Sequence, residues 1–188
     1  MARVNLLSVA VIGLATAAYG DIWRGAGSGK GRAAVQEIRE VRPTAAERRV
    51  IAKLLRPNPP WSCKEMDPHQ DWLNNLQYRS IPVSKGARVF LVEAGAGCAR
   101  GAGANGAMWL VRLWPQARVI AGPRQEFDGY VWSVPLSASK GYRDVILGWH
   151  MSAAESGLAY FRFDGARYRR IGLATAVYGE KGLRIIPE

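Results

Sequence analysis

Residues 141–170 read GYRDVILGWHMSAAESGLAYFRFDGARYRR. Between Tyr142 and His150 the side chains alternate. Val145, Leu147 and Trp149 share one side, and Asp144, Ile146, Gly148 and His150 share the other. A period of two marks a strand. Met151 to Gly157 (MSAAESG) interrupts the pattern and reads as a loop, and Leu158 to Phe163 resumes it. Asp164-Gly165 is the dipeptide that favours a tight type I′ hairpin. With a two-residue loop, Phe163 opposes Ala166, Phe161 opposes Tyr168 and Tyr160 opposes Arg169. One face then turns Phe161, Phe163, Ala166 and Tyr168 to the core. The other carries Tyr160, Arg162, Arg167 and Arg169 as an aromatic-basic ladder in solvent. A one-residue slip would bury the arginines, which pins the register.

The same period runs upstream. Arg88 to Glu93 (RVFLVE), Ala107 to Trp114 (AMWLVRLW), Ala117 to Ala121 and Tyr130 to Val134 all read as strands between glycine-rich or proline-containing turns. Before about Tyr78 the signals are helical. Val35, Ile38 and Val41 form a three-spaced stripe ended by Pro43. Thr44-Ala45-Ala46-Glu47 has the form of a capping box and opens a helix to about Leu55, with Val50, Ile51, Leu54 and Leu55 on one face. Pro57, Pro59 and Pro60 stop it. Asp67-Pro68 resembles a cap with proline in the first turn, predicting a short helix to about Leu76. Helices first and strands afterwards predict an α+β class, with N-terminal helices packed on a C-terminal antiparallel β-sheet, a meander.

The first twenty residues, MARVNLLSVAVIGLATAAYG, carry Arg3, an apolar stretch of about 15 residues and Ala18-Tyr19-Gly20 before Asp21. That is the pattern of a secretory signal peptide, and the stretch is shorter than a membrane span needs. An uncleaved N-terminal anchor is the competing reading. Residues 21–32 read as a flexible linker, and 33–188 as a single domain of ordinary size. Within the linker, GAGSGKG at 25–31 fails the P-loop pattern at both ends: Arg24 stands where its first glycine belongs, and Gly31 follows Lys30.

The chain carries a net charge of +11, to which the leader contributes only Arg3. Such charge usually suggests nucleic acid, but export argues against that partner. Plain solubility accounts for the charge; an anionic cell-envelope polymer or another envelope protein is the partner it would suit. The predicted location is periplasmic or secreted, with no transmembrane segment in the mature chain. Cys63 and Cys98 make an even pair, which an oxidising compartment favours as a disulfide. It would close a loop of about 36 residues, worth on the order of 3 to 4 kcal/mol in the chain-entropy treatment. A catalytic or metal-binding thiol is the alternative. Two isolated cysteines and two isolated histidines do not make a zinc-ligand spacing, so neither metal nor cofactor is expected.

Gly141-Tyr142-Arg143-Asp144-Val145-Ile146-Leu147-Gly148 resembles the second half of an FG-GAP or VCBS-type repeat, with a Gly-x-x-Asp-apolar-apolar-x-Gly core opening a strand. Tyr160 to Gly165 resembles the strand and turn that close such a unit. The family's preceding acidic run is replaced by Ser137-Ala138-Ser139-Lys140, so calcium binding is not implied. The whole chain also resembles uncharacterised exported bacterial proteins.

For chemistry, His150 with Glu155 and Ser152 is the best catalytic candidate, as an envelope hydrolase. Asp144 is excluded from that group, since six residues of strand place it about 20 Å from His150. No nucleophile-elbow, HExxH or paired-carboxylate signature accompanies His150. The favoured expectation is a binding or structural protein using Tyr160, Arg162, Arg167 and Arg169, with no catalytic residue.

Overall fold

The computed structural model describes residues 23, 38–57, 59–60, 63, 72–95, 106–180 and 182–188. The expected leader, the linker apart from Trp23, the cap at Asp67 and the loop holding Cys98 lie outside the described residues.

Twelve strands and one α-helix are described: β1 (Arg39–Glu40), α1 (Ala45–Leu55), β2 (Leu76–Ser80), β3 (Arg88–Ala94), β4 (Gly106–Trp114), β5 (Arg118–Ala121), β6 (Asp128–Ser133), β7 (Ala138–Ser139), β8 (Tyr142–Arg143), β9 (Val145–His150), β10 (Glu155–Phe163), β11 (Tyr168–Gly179) and β12 (Gly182–Pro187). The sheet order is β1-β2-β3-β4-β6-β9-β10-β11-β12, with β5 also on β4 and β7-β8 a separate hairpin. Every pairing is antiparallel. The protein is therefore a mostly antiparallel β meander carrying a single described α-helix.

Alternation along β3, β4, β9 and β10 divides the side chains among three cores. Val89, Leu91, Met108 and Leu110 meet Val145, Leu147, Phe161 and Phe163 in a shared central core, so the inner faces of the two halves of the sheet pack together. On the outer face of the first half, Phe90, Val92, Trp109 and Val111 lie under Ile51 and Leu55 of α1. On the outer face of the second half, Trp132, Ile146, Leu158, Tyr160, Ala174 and Ala176 pack with Trp23. Both faces of the central strands are covered, which is why they read as continuous apolar runs.

Helix α1 forms as its capping box dictates. The Thr44 hydroxyl accepts from the Glu47 N–H at 3.2 Å, and the Glu47 carboxylate accepts from the Thr44 N–H at 2.7 Å. The other two expected helices are corrections. Around Val41 the chain is extended, and β1 pairs with β2. Ile38 packs on the central core and Val41 on the helix-covered one. A three-residue spacing puts side chains on opposite sides of a strand, so the same stripe serves two cores. Before Leu76 only a 3-10 turn, Trp72–Asn75, is described. Leu76 itself pairs with Ala94, and the Asn75 carbonyl accepts from the Gly95 N–H; strand pairing takes up the backbone a helix would use.

The hairpin register also differs from the expectation. Phe163 opposes Tyr168 and Arg162 opposes Arg169, across a four-residue turn. The Asp164 carboxylate accepts from the N–H groups of Ala166 (2.7 Å) and Arg167 (2.8 Å), which fixes the longer turn. A shift between Tyr160 and Phe161 follows, so that Tyr160 opposes Gly172. Phe161, Phe163 and Tyr168 still reach the central core, while Ala166 stays in the exposed turn. The expected Met151–Gly157 loop is shorter, because β10 already begins at Glu155. Trp23, within the expected linker, is only 4% exposed.

Cys63 packs against the helix-covered core. Among the described residues there is no free cysteine, and the expected partner Cys98 lies outside them.

Candidate functional site

The residues of the expected ladder do not form one surface. Tyr160 is 1% exposed. Its ring lies edge-on to Trp23, with centroids 5.6 Å apart. Its hydroxyl donates to Asp144 Oδ2 at 2.8 Å and lies 2.9 Å from Ser137 Oγ. Burial, helped by the Asp144 carboxylate, pushes the Tyr160 phenol up to about 12. Arg162 donates from Nη2 to Asp144 Oδ2 at 2.9 Å and from Nε to Oδ1 at 3.2 Å. These bonds raise the Arg162 pKa further. Arg169 is paired instead with Asp164 at 2.9 Å. Arg167 lies beside a small cavity near Trp109.

His150 and Glu155 stand at the ends of adjacent strands, both exposed. The His150 ring lies 5.2 Å from the Tyr130 ring. The Glu155 carbonyl accepts from Met151 N and Ser152 N, so its backbone closes the turn. Ser152 Oγ accepts from Ala154 N at 3.2 Å, a local turn contact. This is the geometry of a turn closed by its own backbone.

Asp144, which strand spacing separates from His150, stands at the centre of the network of Tyr160 and Arg162. It is fully buried, and its carboxylate is occupied by Tyr160 and Arg162. Its N–H donates to the Ser137 carbonyl at 2.9 Å. The neighbouring Arg143 is held on both sides of its backbone: its N–H donates to Val83 O at 2.6 Å, and its carbonyl accepts from Tyr168 Oη at 2.7 Å. Burial pushes the Tyr168 phenol up, which keeps it a donor. Together these bonds fasten the β7-β8 hairpin and the β2-β3 loop to the core.

Between those two segments and the end of β4 lies a cleft of about 950 Å³. Four cations line it: Lys85, Arg112, Lys140 and Arg143. Among the described residues no carboxylate lines it. Lys140 and Gly141 both have positive φ, 51° and 80°, as a two-residue type I′ turn requires. That conformation is uncommon for a lysine and lifts Lys140 to the tip of the hairpin. The Arg112 guanidinium donates to Gln116 O (3.0 Å) and Tyr142 Oη (3.4 Å), which orients it. The cleft also has apolar lining. Leu136 contributes to it and is 63% exposed, and Trp114, which precedes the lining residue Pro115, is 62% exposed. Four like charges in one concavity repel each other and set up a field that attracts anions. The sequence reading missed all four. They come from three segments that no local pattern joins; the single local sign was Lys140-Gly141 as a turn dipeptide.

Among the described residues no group of three or more His, Cys, Asp or Glu side chains could hold a metal ion, and no helix is long and apolar enough to cross a membrane. No family model, curated protein or solved structure matches this chain significantly.

Proposed function

We propose that this chain is an exported, single-domain binding component of the cell envelope that holds an anionic polymer in the cleft of Lys85, Arg112, Lys140 and Arg143. The observation that carries the reading is four cations in one concavity that no carboxylate lines among the described residues. Multiple cation contacts make such binding strongly salt-dependent. The exposed Trp114 and Leu136 add apolar surface that sugar rings or polymer backbones can lie against. The apolar leader of residues 1–20 and the cysteine pair support export. The hydrolase alternative rests on His150 and Glu155, both exposed at the ends of adjacent strands.

Pull-down on peptidoglycan and on teichoic acid tests this directly, the first presenting carboxylates and the second phosphodiesters. The triple variant Lys85→Glu, Lys140→Glu, Arg143→Glu loses retention, while Arg184→Glu, exposed on the edge strand β12, keeps it. Retention that is unchanged in the triple variant, or insensitive to salt, removes the cleft from the function. Export has its own check: periplasmic protein, denatured without reductant, should show no free thiol, and two free thiols would rule out the Cys63–Cys98 bond.

A further inference from the structure

The four cations of the cleft are not equivalent. Lys85, in the β2-β3 loop, and Lys140, at the tip of the β7-β8 hairpin, are exposed, while Arg112 and Arg143 are half-buried. A lysine ammonium on its flexible stem acts as a point charge, and a guanidinium offers a planar fork of donors. Arg112 is also set in place by the fold itself. Its Nε donates to Gln116 O at 3.0 Å, and its Nη1 donates to Tyr142 Oη at 3.4 Å. Those two acceptors belong to different segments, the β4-β5 connection and strand β8, so the guanidinium is fixed between them. Tyr142 is itself anchored. It is 7% exposed, and its ring lies 4.2 Å from that of Phe163 in the central core.

The two contacts use two of the five N–H groups of Arg112 and leave three on its terminal nitrogens. No carboxylate lines the cleft among the described residues to take them. Arg143 shares the half-buried level, and its backbone is pinned on both sides by Val83 and Tyr168. A pre-oriented guanidinium, partly out of water, binds best an acidic group whose two oxygens match its fork. Exposed lysines attract charge without selecting its shape.

We propose, on the reading that this cleft holds an anionic polymer, that it recognises the polymer through an acidic group with two equivalent oxygens, a phosphodiester or a carboxylate, gripped bidentately by Arg112, and that Tyr142 is the residue positioning that guanidinium. The two lysines then add attraction along the polymer, and the arginine supplies the selectivity.

The test is calorimetric titration of the full chain with a soluble glycerol-phosphate oligomer and, separately, with an oligogalacturonate of matched length, each at low and high salt. Arg112→Lys keeps the charge and removes the fork. It should weaken binding about tenfold or more while leaving the salt dependence in place. Lys85→Arg, the reverse exchange at an exposed tip, should change affinity less than about twofold. The oligomer that loses more on Arg112→Lys names the acidic group, and equal losses show that both are read. Tyr142→Phe removes only a hydroxyl and should weaken binding about threefold. That loss should vanish in the Arg112→Lys background, where no fork is left to position; a merely structural role would keep it. Unchanged affinity in Arg112→Lys for both oligomers, or independent losses in the two variants, overturns the proposal and leaves the cleft as the binding site, which the triple charge reversal tests separately. If Arg112→Lys does not fold, unchanged affinity in Tyr142→Phe overturns it instead. A wild-type chain that binds neither oligomer removes the proposed function and this inference together.

Discussion

Helix α1 covers the outer face of one half of the sheet, setting Ile51 and Leu55 against Phe90, Val92, Trp109 and Val111. On the other half, Trp23 lies against Tyr160, Ile146 and Leu158. The two faces resemble each other in strand alternation and differ in what closes them. The helix is a local structure with its own cap, and the side chains beneath it are apolar apart from one indole N–H. The Trp23 face contains Tyr160, whose hydroxyl reaches the buried Asp144 and through it Arg162. A helix meets an apolar face with a complete stripe of its own. Against the other face Trp23 is the described residue from outside the sheet; the polar groups of that face, Asp144, Tyr160 and Arg162, satisfy one another, while its own indole N–H has no partner.

The strongest way to break this comparison is Trp23→Ala. If that face is a true core, the change costs about 4 kcal/mol, in the range for buried tryptophan truncations. Chemical denaturation measures it, and a cost below about 1 kcal/mol would make Trp23 a loose cover. Because the Trp23 Nε1 has no partner, Trp23→Phe should cost much less than the alanine change. On the helix side, Leu55→Ala should cost about 3 kcal/mol by the same measurement. Asp144→Ala probes what only the Trp23 half contains. It leaves the Tyr160 hydroxyl with Ser137 as its remaining partner and takes the carboxylate from Arg162, and should cost about 2 to 3 kcal/mol. That is less than a fully buried pair, because the Arg162 side chain is 40% exposed. Thr44→Ala removes the helix cap, for about 1 kcal/mol, and acts on the helix half alone.

The smallest effect is one of pH. The Arg167 N–H, the Arg169 guanidinium and the Ala166 N–H hold the Asp164 carboxyl well below the usual carboxylate range. A carboxylate whose pKa is lowered by folding adds stability that is complete above its unfolded pKa and lost as pH falls. Melting temperature should therefore decline gently below about pH 4, and Asp164→Asn should flatten that decline. An unchanged slope in Asp164→Asn would place the acid sensitivity elsewhere.

Most of the secondary structure could be read from local pattern. The capping box at Thr44 and Glu47 is closed among residues three apart, and the period of two from Arg88 onward describes single strands. The failures share one cause. At Ile38 and Val41 the pattern was right about burial and silent about which core each residue serves. At Asp164 the dipeptide favoured a shorter turn than the one the carboxylate stabilises, while Tyr160 stays on the face of Arg162 and is covered there by Trp23. The ladder itself rested on the assumption that one face of the hairpin is wet. Yet LAYF, at 158–161, is a continuous apolar run, and that already indicated cover on both sides.

Helix α1, most of the strand positions, the antiparallel meander and the strong positive charge follow from local pattern and composition, because each depends on neighbours along the chain. The burial of Asp144 as a tie, the packing of Trp23 on a sheet face and the meeting of Lys85, Arg112, Lys140 and Arg143 in one cleft appear only in the folded chain. Those facts depend on which segments meet after the sheet has folded, and charges lying more than twenty residues apart along a chain meet through strand pairing and loop anchoring.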